Sequence, residues 1–110
     1  MAIRLTKPWQ MLNNDTVRHL PGQLGVFELA GRDGRVILIG YAGGRSLFGL
    51  RSAVEEAWHA TNDATQFRHE VTMQYLSRYK ELLMLHVADH GGLPIHNHDA
   101  PSTFGRLSPA

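Results

Sequence analysis

Four of the chain's seven histidines fall within thirteen residues, at His86, His90, His96 and His98. His86 and His90 are four apart, a spacing that on a helix brings both imidazoles to one side, with Asp89 adjacent. The chemistry of such a cluster is chelation of a borderline metal such as zinc or nickel, with His86 and His90 as the candidate ligands. A plainer reading has His86 in a half-buried slot and the other three at a helix end or in solvent, where a histidine favours the helix dipole. The plainer reading leads, because the chain contains no cysteine to build a strong zinc motif. No resident cofactor is therefore expected, and a divalent metal enters only if the chain is catalytic. A second set of chemistry-bearing residues is Arg45, Arg51 and Arg68, with Arg78, whose forked donors suit phosphate. The competing reading is solvated arginines, with Arg51 paired to Glu55 on the flank of a helix.

The elements that must position these residues begin with Gly25–Tyr41, GVFELAGRDGRVILIGY. Phe27, Leu29 and Val36-Ile37-Leu38-Ile39 suit two buried strands, and Gly31-Arg32-Asp33-Gly34 supplies hairpin turn chemistry between them. A helix is expected from Ser46, its N-cap, to Ala60, with Leu47, Leu50, Val54, Ala57 and Trp58 on one stripe. Phe67–Tyr75 alternates, with Arg68, Glu70, Thr72 and Gln74 on a solvated face of a third strand. A second long helix runs from Ser77 to His90 and stops at Gly91-Gly92, and Leu93–Asn97 reads as a pinned extended segment. Upstream, Asn14 or Asp15 caps a helical turn over Thr16–Leu20, and Trp9, Met11 and Leu12 form an apolar lid. The expected fold is α/β (α+β), a small three-stranded sheet with helices in the order β-β-α-β-α. Residues 1–19 read as an extension, 20–98 as the domain and 99–110 as a flexible tail.

Composition narrows the function. The 110-residue length fits one domain, and a net charge of +1 provides no global field to draw in a polyanion. Without cysteine there is no thiol nucleophile and no disulfide framework, which suits a cytoplasmic location. No apolar run reaches membrane-spanning length and residues 1–20 lack a signal-peptide pattern, so no membrane partner is expected.

Leu20-Pro21, Gly25-Val26-Phe27, a ten-residue interval and then Leu38-Ile39-Gly40 resemble the GIY-YIG endonuclease domain. The likeness extends to Arg51, eleven residues past Gly40, and to Pro94-Ile95-His96-Asn97, similar to the Pro-x-x-Asn that ends the family's core. The resemblance implies a site in which two tyrosines organise the attacking water, an arginine steadies the phosphate and a glutamate holds a divalent metal. In this chain the tyrosine positions are Phe27 and Leu38, neither of which has a hydroxyl, and the glutamate position is His86. Arg51 and Asn97 alone keep the family's residue types. Tyr41 stands next to Gly40, but strand alternation points it to the opposite face, and Glu81 sits five residues from His86, well round the helix. Glu70 is a further carboxylate within the fold.

The leading expectation is a GIY-YIG-like domain that has lost nuclease activity and acts as a binding or interaction module, with nucleic acid as one partner class. An active endonuclease of altered mechanism, with His86 or Glu70 in a new metal site and Arg51 on the phosphate, is the first rival. A self-associating structural protein, a homodimer or a module for a protein partner, is the second.

Overall fold

The computed structural model describes residues 3–44 and 46–99 of the chain. In chain order the elements are β1 (Gln10–Met11), α1 (Asn14–Arg18), β2 (Gly25–Ala30), β3 (Val36–Ala42), α2 (Leu50–Ala60), β4 (Gln66–Val71), α3 (Tyr75–His90) and α4 (Ile95–Asp99). The fold is α+β. Four antiparallel strands lie in the order β1-β4-β2-β3, so the expected three-stranded sheet gains an edge strand. That strand is two residues long, too short for any periodicity to announce it.

The β2–β3 hairpin forms as its composition dictates. Gly34, at φ +84°, donates to the Gly31 carbonyl at 2.9 Å, and the Asp33 carboxylate accepts from the Arg35 N–H at 3.0 Å. Period-2 alternation then splits the side chains between two cores. Phe27, Leu29, Leu38, Ala42 and Phe67 pack with Leu50, Val54 and Ala57 of α2 on one face. Val26 and Ile39 pack with Tyr79, Leu82 and Leu83 of α3 on the other. Each large apolar side chain taken fully out of water contributes about 1.5–3 kcal/mol, which is what holds both helices to the sheet.

Several boundaries differ from the sequence-based expectation. Residues 3–19 are built into the domain: Leu5 joins the α3-side core, and Leu12 and Val17 join the other. Asn13, one residue before the expected cap, is the N-cap of α1, its side chain accepting from Thr16 N at 2.9 Å. Helix α2 starts at Leu50 and not at Ser46; Leu47 is exposed and the Leu50 N–H donates to the Gln23 carbonyl. Strand β4 ends at Val71, because the chain turns where Thr72 N donates to Leu24 O and Gln74 N to Thr72 Oγ1. Arg68 and Glu70 are not on a solvated face; they lie half-buried on the side that α3 covers. Gly91 ends α3 in the left-handed conformation as expected, its N–H donating to Val87 O. The segment expected to be extended before Asn97 turns into α4 at Ile95. The expected tail beyond Asp99 lies outside the described residues.

Candidate functional site

The motif positions of the expected nuclease site are packing elements. Phe27 and Leu38 are fully buried. Phe27 stands opposite Gly40 in the hairpin register, and a Cβ on Gly40 would lie 2.4 Å from Phe27 Cζ. A Cβ on Gly25 would lie 2.2 Å from the Glu70 carbonyl oxygen of β4. The glycines at the two ends of the motif pair are therefore required by close approach, one of a ring and one of a strand.

The remaining candidate residues are not gathered at one place. Arg51 sits on α2, exposed, its Nε donating to Leu20 O at 3.2 Å and its guanidinium carbon 6.0 Å from the Phe48 ring centroid. It has no ion pair with Glu55. His86 is on α3, across the sheet from α2. Arg68 also faces the α3 side, so it cannot join Arg51 on one phosphate, and Arg45 lies outside the described residues. Asn97 is nine-tenths buried and fully engaged: its Oδ1 accepts from the Ile39 N–H at 2.9 Å and its Nδ2 donates to the Ile39 carbonyl at 3.0 Å. Strand β3 is a sheet edge, so Asn97 replaces the missing neighbour strand at Ile39.

Most residues weighed for the alternative metal reading have other partners. The rings of His86 and His90 do meet, with centroids 4.4 Å apart, but His86 Nδ1 is 2.9 Å from the Gly92 carbonyl. Asp89 is engaged by Arg4 in two bonds, Nε to Oδ2 at 2.8 Å and Nη2 to Oδ1 at 2.6 Å. His96 Nε2 lies 2.9 Å from Asp63 Oδ1, and the His98 side chain is outside the described residues. Among the described residues no three histidine or carboxylate groups converge to hold an ion. Glu70 and Glu81 both clamp Arg78, which also donates to the Ile3 carbonyl. Tyr41 faces away from Phe27, stacked on Tyr75 and edge-on to Tyr79.

A different constellation occupies the α3 side of the sheet. Glu28 and Arg68 stand opposite one another on β2 and β4, with Arg68 Nε donating to Glu28 Oε1 at 2.7 Å. Trp9 lies under the guanidinium, its ring centroid 4.2 Å from Arg68 Cζ. The pair forms part of the lining of a cavity of about 260 Å³ that also touches Leu5, Val36, Leu82, Leu85, His86 and the Arg4–Asp89 pair. Only 6% of Glu28 is exposed, and burial raises its pKa against the opposing effect of Arg68. Burial also lowers the pKa of His86, which favours neutral imidazole; donation from Nδ1–H to Gly92 O then leaves a lone pair on Nε2. The hydrogen bond from Arg4 holds the Asp89 carboxyl below the usual range.

On the other face a second cavity, about 440 Å³, lies between α1 and β4, lined by Gln10, Asp15, His19 and His69 among others. His69 Nδ1 is buried without a partner among the described residues, and burial together with Lys7 lowers its pKa.

A family described as a domain of unknown function (DUF7508) matches residues 3–89, most of the 110-residue chain. The chain belongs to that family. No curated protein and no solved structure matches it. The DUF7508 region begins beside Arg4 and ends at Asp89, so the ion pair at the cavity mouth joins its two extremities. Within it, Glu28 was the site residue that sequence patterning passed over. The signal was present, since Glu28 is the one charged residue in the otherwise apolar strand GVFELA.

Proposed function

We propose that this DUF7508 chain is a binding module on a GIY-YIG-like scaffold that has no hydrolytic centre. The observation that carries the reading is how the family positions are used. Phe27 and Leu38 are hydrocarbon core, Asn97 is consumed at the β3 edge, and Arg51 and His86 stand on helices on opposite faces of the sheet. Phosphodiester hydrolysis needs an activated water and a phosphate-holding cation at one point. Binding is supported instead by the cavity beneath α3, a largely apolar space with Glu28 and Arg68 in its lining. The test is incubation with supercoiled plasmid and with single strands in magnesium, manganese and zinc, using wild type, Arg51→Ala and His86→Ala. All three proteins are expected to leave the substrates intact. Cleavage by wild type that disappears in Arg51→Ala overturns the reading in favour of a rebuilt endonuclease.

A second reading, self-association or a protein partner, draws on the exposed apolar side chains of α3. Leu76, Met84 and Val87 remain exposed there, with Met73 just before the helix. Sedimentation at working concentration tests the self-association arm, and a monomer at all concentrations removes it. No helix among the described residues is long and apolar enough to cross a membrane.

A further inference from the structure

Residues 3–9 lie on the α3 side of the sheet before the chain enters β1, and they are held there through side chains. Among the described residues no hydrogen bond between backbone groups involves this strap. Of residues 3–8 only Leu5 is buried, 3% exposed and packed with Val26, Ile39, Tyr79, Leu82 and Leu83. Arg4 engages Asp89 in two solvent-exposed bonds, the Ile3 carbonyl accepts from Arg78, and the Trp9 ring lies against Arg68. One buried leucine and an exposed ion pair are a weak fastening, because exposed pairs contribute at most about 1 kcal/mol. Such a segment opens before the sheet does.

We propose that the groove beneath this strap is a peptide-docking site and that residues 3–9 are its intramolecular occupant. The partner is an extended protein segment carrying an arginine, a leucine directly after it and an aromatic residue four positions further on. This deepens the binding-module reading and rests on it. The strap itself shows what the groove accepts: Asp89 takes the arginine, the α3-side core takes the leucine, Arg78 takes the backbone carbonyl before them and Arg68 takes the aromatic ring. Most of these receiving groups are set without the strap. Arg78 is fixed by Glu70 at 3.0 and 3.1 Å and by Glu81, and Arg68 by Glu28 at 2.7 Å. The residues around Leu5 come from β2, β3 and α3, which pack on one another directly. The strap also underfills its seat, since a cavity of about 260 Å³ remains between Arg4, Leu5 and Thr6 on one side and Glu28, Arg68 and Leu82 on the other. A preformed groove spares a partner the cost of organising it, and the tethered strap keeps weak ligands out.

The experiment is fluorescence anisotropy of a labelled peptide of residues 3–10, titrated with the full chain as wild type and as the double variant Arg4→Glu with Leu5→Ala. The variant, whose strap is repelled by Asp89 and has lost its anchor, should unfold cooperatively and bind the peptide. Wild type should bind it at least about tenfold more weakly, because only its open fraction is competent. A peptide carrying Leu5→Ala should bind the variant about tenfold more weakly than the native peptide, through loss of the buried side chain. If the double variant does not fold, Arg4→Glu alone, which changes an exposed residue, should still bind the peptide more tightly than wild type does. Brief trypsin treatment of wild type reads the opening without a variant: cleavage after Arg4 should outpace any cleavage within the sheet. Cleavage there no faster than in the sheet overturns the proposal. So does a folded double variant that binds no peptide at millimolar concentration, or one that binds the native and Leu5→Ala peptides equally. The plasmid assay reads the scaffold separately: intact plasmid with no peptide binding sinks the docking assignment alone, whereas cleavage lost in Arg51→Ala sinks the module reading.

Discussion

Asn97 separates a structural role from a vestige of catalysis, and the perturbation is a substitution that keeps its branched heavy-atom skeleton. In Asn97→Leu the hydrocarbon fills the same slot, and both the N–H and the carbonyl of Ile39 lose their partners beneath α4. Those bonds are 2.9 and 3.0 Å long, and Asn97 is 4% exposed, so water does not readily replace the amide. Each buried backbone group left unpaired costs about 1–3 kcal/mol, so the pair predicts a loss of roughly 2–6 kcal/mol. That is a large share of a total stability of about 5–15 kcal/mol for a domain. Urea unfolding followed by circular dichroism measures it as a fall in midpoint at unchanged slope. Asn97→Asp adds a sharper test. Its carboxylate accepts from Ile39 N–H but places a second oxygen against the Ile39 carbonyl, so the protonated acid is favoured and its folded-state pKa rises. The native state then holds a proton that the unfolded chain releases, and stability falls as pH rises from the carboxylate range toward neutrality. Asn97→Asp should therefore be weakest at neutral pH and recover on acidification relative to Asn97→Leu. A loss below about 0.5 kcal/mol in Asn97→Leu, or a gain, refutes the edge-capping argument and returns Asn97 to the list of functional residues.

Gly40→Ala places a methyl against the Phe27 ring and should cost about 1–3 kcal/mol; adding Phe27→Leu should recover part of the loss in a double-mutant cycle read by thermal unfolding. Glu28→Leu leaves Arg68 unpaired and should cost about 3 kcal/mol, at the lower end for buried pairs because part of the Arg68 side chain reaches solvent, whereas Glu28→Leu with Arg68→Met should return to within about 1 kcal/mol of wild type. His69 and His86 have folded pKa values below the ordinary 6.5, so their contribution is complete above that value and is lost as pH falls through the depressed folded values. Replacement His69→Leu should flatten the acid limb of a stability–pH profile measured by urea midpoint. Tyr79, pushed up to about 12 by burial and by Tyr41, should ionise late in a spectrophotometric titration, and stability should fall as pH rises from the ordinary value of 10 toward 12.

The hairpin, both long helices and the Gly91 stop were legible because each rests on a local signal: an Asp-Gly turn, a 3.6-residue stripe, a glycine in the left-handed region. Helix α2 began four residues late because Leu47 matches the stripe by spacing while the chain still turns around Gly49, and spacing does not report exposure. Strand β1 was illegible because two residues carry no period, and it exists only because β4 offers it a partner. The faces of β4 were assigned from polarity, so Arg68 and Glu70 read as solvated. Their burial depends on Glu28 and Arg78, partners forty and eight residues away. Spacing singled out Arg51, His86 and Asn97 but held no information on which face of the sheet each helix would take. Neither the Arg4–Asp89 clasp nor the cavity behind it could be read from any window of sequence.

That clasp has a consequence for how the chain is made. Arg4 meets Asp89 across 85 positions, and Leu5 is covered by Tyr79, Leu82 and Leu83. At a synthesis rate of about 5–20 residues per second, Leu5 leaves the ribosome roughly 4–16 s before its cover exists. The hairpin can close long before then from contacts within itself. The cavity, walled by Arg4 and Leu5 and roofed by α3, is finished only when α3 has followed the rest of the sheet out of the ribosome.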